Sequence, residues 1–511
     1  MKRIFSFIIC LVLICSFCLC LLPTNAFADD KLVLRIYNWQ DYIDDGLDEN
    51  GNRIGPSLID DFIEYYEEKH GQSIEVIYDT FETNEVMYNT LKSGKTTYDL
   101  VCPSDYMIQK MLRENMLEKF DYVDGHLINI PNYDAYALPF FKEMFEKQGW
   151  TEYAVGYFWG TMGYIYNPEI VSETDIQNWS SIWSVEYRNL TTIKDSVRDT
   201  YFLGAMYVYR DELIELKNNR EDALREIEIK LLTNEMTEEE ADAQRELIND
   251  EYSYAIEVIA NRTDDETLEK IQTALTTLKP NLYGLEVDSG KNDMVTGKIA
   301  INFAWSGDAV YAIDSAEEEG VILKYIVPET GSNVWYDGWC MPKGANKELA
   351  QEFIDYVSMP ENAVRNMDKV GYTTAIGGDA VLDYIEECYA DEDGEYEVDL
   401  SHYFLGSVEE GRSTIVKTSE LGRQFSAQYP DAETLTRCAV MKDFGDKNQK
   451  VLDMWENVKG SELNIWLVIT VIGIVVLIIL LFIIKAINKN RRHGAMRRRM
   501  RRDPNVTRKM I

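Results

Sequence analysis

Carboxylates stand beside Trp or Tyr at the ends of several β-rich runs in this 511-residue chain. The runs are Asn38-Trp39-Gln40-Asp41-Tyr42, Phe303-Ala304-Trp305-Ser306-Gly307-Asp308 and Val334-Trp335-Tyr336-Asp337-Gly338, and a further carboxylate stands in Val197-Arg198-Asp199. Aromatic faces with carboxylates suit a flexible organic cation. Rings line its methylenes and attract its ammonium groups, and carboxylates fix its ends. Any one of these Trp residues could equally be ordinary core, so the argument rests on their joint placement.

The elements around these runs have α/β grammar. Leu32–Tyr37 is β-rich, Ser57 caps a helix with Leu58, Ile59, Phe62, Ile63 and Tyr66 at helical spacing, and Gly71 ends it. Ile74–Tyr78 reads as the next strand, a helix through Met87 and Leu91 follows, and Asp99–Cys102 is a third strand. Such alternation predicts parallel βαβ units, and it recurs near Ile299–Phe303 and Val321–Ile326. In open α/β sheets ligands bind at the carboxyl ends of strands, so the aromatic–acidic loops can converge in one cleft. Residues 211–261 break the pattern. Leu213, Leu216, Leu224, Ile227 and Leu231 on one helix, then Ala243, Leu247 and Tyr254 after a Thr237/Glu240 capping box, predict an inserted helical hairpin packed on its parent lobe.

Charge divides the chain into three. The formal net charge is −37, made of +2 on residues 1–28, +10 on 485–511 and −49 on the body between. So acidic a body excludes nucleic acid as partner, because phosphate demands a basic face. Residues 1–28 read as a secretory signal: Lys2 and Arg3, an apolar run from Ile4 to Leu22, then Ala26-Phe27-Ala28 before Asp29. Ile465–Ile484 is twenty residues without a charge, about 30 Å as a helix, enough to span a bilayer. Lys485, Arg491, Arg492 and Arg497–Arg499 beyond it predict a cytoplasmic tail, with residues 29–464 outside the cell membrane.

Metal and cofactor chemistry find little support. Four of the eight cysteines fall in the signal, and Cys102, Cys340, Cys388 and Cys438 show no CxxC spacing. Only four His are present. The acidic loop Asp48–Arg53 puts Arg53 where an EF-hand needs Gly, and Ile59 where it needs Glu; Asp391–Glu395 lacks ligand spacing. Both read as solvated turns, and no cofactor is expected.

The chain resembles the spermidine/putrescine-binding proteins of polyamine ABC importers. The resemblance is carried, in family order, by Tyr37-Asn38-Trp39 through Tyr42, Thr80–Glu85 with Met87-Tyr88, and Tyr98–Val101 leading into Pro103-Ser104-Asp105-Tyr106. It continues in Tyr157–Gly160, Trp305-Ser306-Gly307, Trp335-Tyr336-Asp337, Gly371-Tyr372-Thr373 and Tyr429–Glu433. It implies a two-lobed periplasmic-binding-protein (type II) clamshell without catalysis: lobe one 29–155 plus 329–460, lobe two 156–328, the hairpin 211–261 inserted in it, and a C-terminal transmembrane helix. It also implies that Trp39, Tyr42, Trp305 and Trp335 form an aromatic box, that Asp337 and Asp199 fix ammonium groups, and that Asp41, Ser104, Tyr106 and Tyr372 add polar contacts. Two departures stand out. A family Asp is Ser196 here, with Asp195 adjacent, and a family Gln is Met441; fewer polar anchors favour putrescine over spermidine.

The expectation is therefore a membrane-tethered binding protein that delivers a polyamine to ABC permease subunits, with membrane lipid as a further partner. Two rivals differ in class. A single-pass sensor for an organic cation would need an output domain longer than residues 485–511. A carboxylate-based extracellular hydrolase would show turnover on polysaccharides.

Overall fold

A computed structural model describes residues 31–48, 51–419 and 421–460, with five isolated positions between 473 and 485. The first strand, β1 (Leu32–Trp39), buries Leu34 and Ile36 on one face and pairs in parallel along its whole length with β2 (Ile74–Phe81). Between them runs α1 (Leu58–His70), started by a reciprocal capping box between Ser57 and Asp60 and stopped by Gly71 at φ 66°. After α2 (Asn84–Ser93), the third strand β3 (Leu100–Val101) is only two residues long and pairs with β1; α3 (Asp105–Arg113) follows it.

β4 (Ala154–Tyr166) is buried along all thirteen residues, which explains its unbroken apolar and aromatic run. The next elements are β5 (Thr191–Lys194), α4 (Val197–Val208), α5 (Arg210–Leu232), α6 (Glu238–Ala260), β6 (Gly284–Glu286), β7 (Ile301–Trp305), α7 (Ser306–Glu318), β8 (Lys324–Ile326) and β9 (Ser332–Cys340). Two short strands complete the sheet, β10 (Thr373–Thr374) and β11 (Cys438–Ala439). The order is β2-β1-β3-β9-β4-β7-β5-β6, with β8 and β10 also on β4 and β11 on β9. The two ends of β4 have different partners: Ala154–Thr161 pair antiparallel with β9, and Met162–Tyr166 with β7. β4 therefore belongs to both halves of the sheet, with β9 lying between it and β3.

The expected Ile299–Phe303 strand lies two residues later. Ile299 and Ala300 are buried, but the Ala300 N–H donates to Leu190 and its carbonyl accepts from Asn167 ahead of the β4 ladder. Two helices, α5 and α6, occupy the stretch read as an insert, and α6 packs through a different face from the one its spacing suggested. Ala243 is exposed, as are Leu247 (58%) and Tyr254 (67%), and the buried set is Ala241, Tyr252, Ile256, Ile259 and Ala260. What selects that face is a distant stretch of chain. Arg220, buried on α5, makes a two-pronged ion pair with Glu433, and the Asn261 amide donates to the Val440 carbonyl. Residues 421–444, expected with the first lobe, bond repeatedly to elements between 156 and 328. The Tyr325 N–H donates to the Gly422 carbonyl and the Gln424 amide to Asp314, while Arg198 donates to the Lys442 carbonyl.

Asn448–Gly460 forms a helix, and its residues from Leu452 onward belong to a second unit. Among the described residues no helix is long and apolar enough to cross a membrane. The expected secretory signal, 1–28, and nearly all of the expected span and tail, 465–511, lie outside the described residues. The four described cysteines are free thiols. Val101, not Cys102, stands opposite Cys340, so alternation along the strands directs the two buried thiols to opposite faces of the sheet.

Candidate functional site

The carboxyl ends of β1 and β3 meet the middle of β9. Trp39 is the last residue of β1, and the chain turns immediately at Asp41, which takes a left-handed conformation at φ 52°. That turn has opposite consequences for two neighbours. It leaves Asp41 exposed, within 3.5 Å of the Gln40 amide, and it brings Tyr42 inward, where its hydroxyl donates to Asp337 Oδ2 at 2.6 Å. Asp337 lies at a bulge in β9, where the register with β4 shifts between Asp337 and Gly338. Bulges re-aim side chains next to binding sites. Ser104, just after β3, faces Asp337 in an isolated antiparallel bridge.

Asp337 is 5% exposed, and its Oδ1 has no hydrogen-bond partner among the described residues. Burial pushes its carboxyl up to about 6, against the Ser104 and Tyr42 hydroxyls, which favour the charged form. Among the described residues no Lys or Arg pairs with it. A buried carboxylate with a free oxygen is costly unless something cationic completes it.

Rings surround this carboxylate. Tyr42 lies 5.6 Å from Tyr372 and 5.1 Å from Phe158, Tyr372 lies 5.3 Å from Trp335, and Trp39 packs on Phe81 at 4.6 Å. The indole N–H groups of Trp39 and Trp335 are both buried and unpartnered among the described residues. Trp39, Tyr42, Ser104, Trp335, Asp337 and Tyr372 thus form one cluster.

Asp199 and Trp305 stand at the other end. Ser196, where the resemblance expects a carboxylate, is the N-cap of α4, its hydroxyl accepting from the Asp199 N–H at 3.4 Å. Asp195 is exposed. Burial raises the Asp199 carboxyl to about 6, while Ser196, the charges of Lys194 and Arg198, and the polar edge of Trp305 pull it down. Asp308 joins the two ends: it accepts from the Tyr372 hydroxyl at 3.1 Å and from Lys194 at 2.7 Å. Tyr106 belongs to neither end directly. Its hydroxyl donates to Glu85 at 3.2 Å, and its ring lies 4.3 Å from the Arg198 guanidinium, whose other face meets Phe444 at 3.8 Å. Met441 is buried, and its carbonyl accepts from Gln109.

The structure therefore gathers eight of the ten expected residues around two carboxylates, sets Tyr106 against Arg198 beside them and leaves Asp41 outside. Lys194, Arg198 and Asp308 belong to the same arrangement and were not among the residues expected to contact ligand. A charged residue closing the short β-branched run Thr191-Thr192-Ile193 was the available signal for Lys194.

Gly307 sets the position of Tyr372. A Cβ there would overlap the Tyr372 ring. Gly307→Ala is expected to cost about 1–3 kcal/mol through overpacking. An unchanged thermal midpoint would show that the ring has room to move.

A strand-crossed α/β body that keeps an unpartnered buried carboxylate inside an aromatic cluster has the makings of a receptor for a small solute. The family model described as bacterial extracellular solute-binding protein matches residues 61–378, and the chain belongs to that family. Its members are binding proteins, and this chain is one of them rather than an enzyme. The spermidine/putrescine-binding periplasmic protein of Salmonella typhimurium is 27% identical over 351 residues, covering 68% of this chain and 79% of that protein. The putrescine-binding periplasmic protein PotF of Escherichia coli is 24% identical over 359 residues, covering 69% and 80%. Among solved structures, a spermidine/putrescine ABC transporter substrate-binding protein from Streptococcus pneumoniae superposes with a TM-score of 0.52 at 27% identity, covering 84% of this chain and 99% of that one. A Listeria monocytogenes structure, at 24% identity and a TM-score of 0.55, shares the fold.

Proposed function

We propose that this protein captures a short polyamine outside the cell and presents it to an ABC importer. The observation that carries this reading is Asp337: a buried carboxylate with one unpartnered oxygen, ringed by Tyr42, Trp335 and Tyr372. An ammonium group would complete that oxygen while the rings line the methylenes. Asp199, beside Trp305, would take the second ammonium. Tyr106 and Ser104 would contribute to orienting these groups, and Asp41, exposed as it is, would meet ligand only at the rim. The relatives' names support the ligand class.

Two lobes would close over the amine, hinged where β4 passes between the halves of the sheet. One lobe holds residues 29–155 and part of the chain after 329; the other holds 156–328 with the hairpin α5–α6. The bonds made by residues 421–444 favour placing that stretch with the second lobe. Closure removes water from the carboxylates and strengthens their hold on the cation. The apolar run 465–484 would anchor the protein, with the basic tail inside. Carbonate extraction tests the anchor: the full chain should stay with the membrane, and a chain ending at residue 460 should not.

Calorimetric titration of the detergent-solubilised full chain with putrescine, spermidine and spermine tests the function. Saturable one-to-one binding of at least one amine is expected, weakening at higher salt because the acidic body concentrates polycations. No heat and no thermal stabilisation with any of the three would reject polyamines as the ligand.

A further inference from the structure

Lys194 sits at the carboxyl end of β5 with its side chain only 1% exposed. Its ammonium donates to Asp308 Oδ2 at 2.7 Å and to the Val287 carbonyl at 3.0 Å, and it pairs with Glu286 Oε1 at 3.1 Å. An ammonium has three N–H donors, and all three are engaged, so the group is held in place. From that position it lies 4.3 Å from the centre of the Trp305 ring. The protein thus carries its own cation on the face of an indole that the sequence assigns to the ligand.

Building on the proposed function, we infer that Lys194 sets the length of amine this site accepts, admitting a diamine and excluding a longer polyamine. The two ends of the site differ in what they can offer an incoming charge. Asp337 is acted on by hydroxyls alone, whereas Asp199 already lies in the field of Lys194 and Arg198. Ser196, which could have been a second carboxylate at that end, caps α4 instead. Asp308 is occupied as well: Tyr372 donates to its Oδ1, Lys291 stands 3.9 Å from the same oxygen, and Lys194 holds Oδ2. Two ammonium groups can be matched, one at Asp337 and one at Asp199. A third, carried past Asp199 along Trp305, meets the fixed ammonium of Lys194 on the same ring, where the carboxylates beside it, Asp308 and Glu286, are already bonded. Exclusion by a resident like charge is specificity achieved by repulsion.

The test is titration of the full chain in detergent with putrescine and with spermidine, for the wild type, Lys194→Met and Lys194→Arg. The wild type is expected to bind putrescine about tenfold more tightly. Lys194→Met should move the putrescine-to-spermidine ratio about tenfold towards spermidine, and Lys194→Arg, which keeps the charge, should retain the wild-type order. A merely structural role for Lys194 would weaken both amines together and leave the ratio alone. If a melting curve shows that Lys194→Met does not fold, the double variant Lys194→Met with Glu286→Gln removes one charge of each sign and is read in the same way. A ratio that moves less than twofold in a folded variant overturns the inference. A wild type that prefers spermidine also overturns it and leaves the polyamine reading standing, whereas a wild type that binds neither amine overturns both.

Discussion

Asp337→Asn is expected to weaken amine binding by about 2–5 kcal/mol, or about 30- to 5,000-fold in Kd. The substitution keeps the shape of the side chain and an oxygen able to accept from the Tyr42 hydroxyl, which now donates to Asp337 Oδ2 at 2.6 Å. What it removes is the charge, at a position where, among the described residues, only hydroxyls act on the carboxyl. The ammonium of the ligand would then enter a desolvated pocket without its counter-charge, which is why the loss exceeds that of an exposed pair. Folding stability should respond in the opposite sense. The ligand-free protein buries an uncompensated carboxylate, so the neutral amide should leave the thermal midpoint unchanged or raise it. Loss of affinity with no loss of stability separates an anchor from a structural residue. A change below about 0.5 kcal/mol in calorimetry would remove Asp337 from the site.

Acidification should have an effect of similar size. Burial raises both Asp337 and Asp199 from the ordinary carboxylate range to about 6. An amine's ammonium groups stay charged between pH 5 and pH 7.5, so only the protein titrates. Each carboxyl must lose its proton to hold a cation. Affinity therefore falls as pH drops through 6, by up to about tenfold per unit for each group, and about 100-fold in all between pH 7.5 and pH 5. Asp105, which burial pushes up to about 8 against the pull of Arg198, is largely protonated across that interval and adds little to the change. The ligand-free protein should show the reverse trend. Between about pH 4 and pH 6 the folded chain holds protons on these two groups that the unfolded chain has released. Their contribution to stability is thus present below pH 4 and lost as pH rises through 6. Titrations at pH 7.5 and 5.0, with proton release measured at pH 6 in buffers of different ionisation heat, would check both signs. Asp337→Asn should remove about half of the pH dependence, and a pH-independent Kd would reject both carboxylates as anchors.

Much of this arrangement is legible in the sequence because it is local. Ser57 and Gly71 bound the first helix by capping chemistry that three or four residues suffice to express. Trp39 and Tyr42 could be named because they follow from a strand end, and Trp335 and Asp337, which lie in the middle of β9, because they stand in the order of a known family.

What the tertiary structure decided lies in contacts between distant parts of the chain. Asp41 was expected in the site alongside Tyr42, yet the left-handed turn between Trp39 and Tyr42 leaves it in solvent. On α6 the heptad-like spacing of Leu247 and Tyr254 was real, but a charged insert offers more than one apolar face, and the chain near Glu433 and Val440 selected the other. Lys194 is the sharpest case. Its carboxylate partner Asp308 lies 114 residues away, and Glu286 and Trp305 come from two further strand ends of the same sheet. Spacing along a chain encodes the period of a strand or helix and the cap that ends it. It does not encode which strand ends the crossovers bring together, and it is there that a buried lysine acquires its counter-charges and its place on a tryptophan ring.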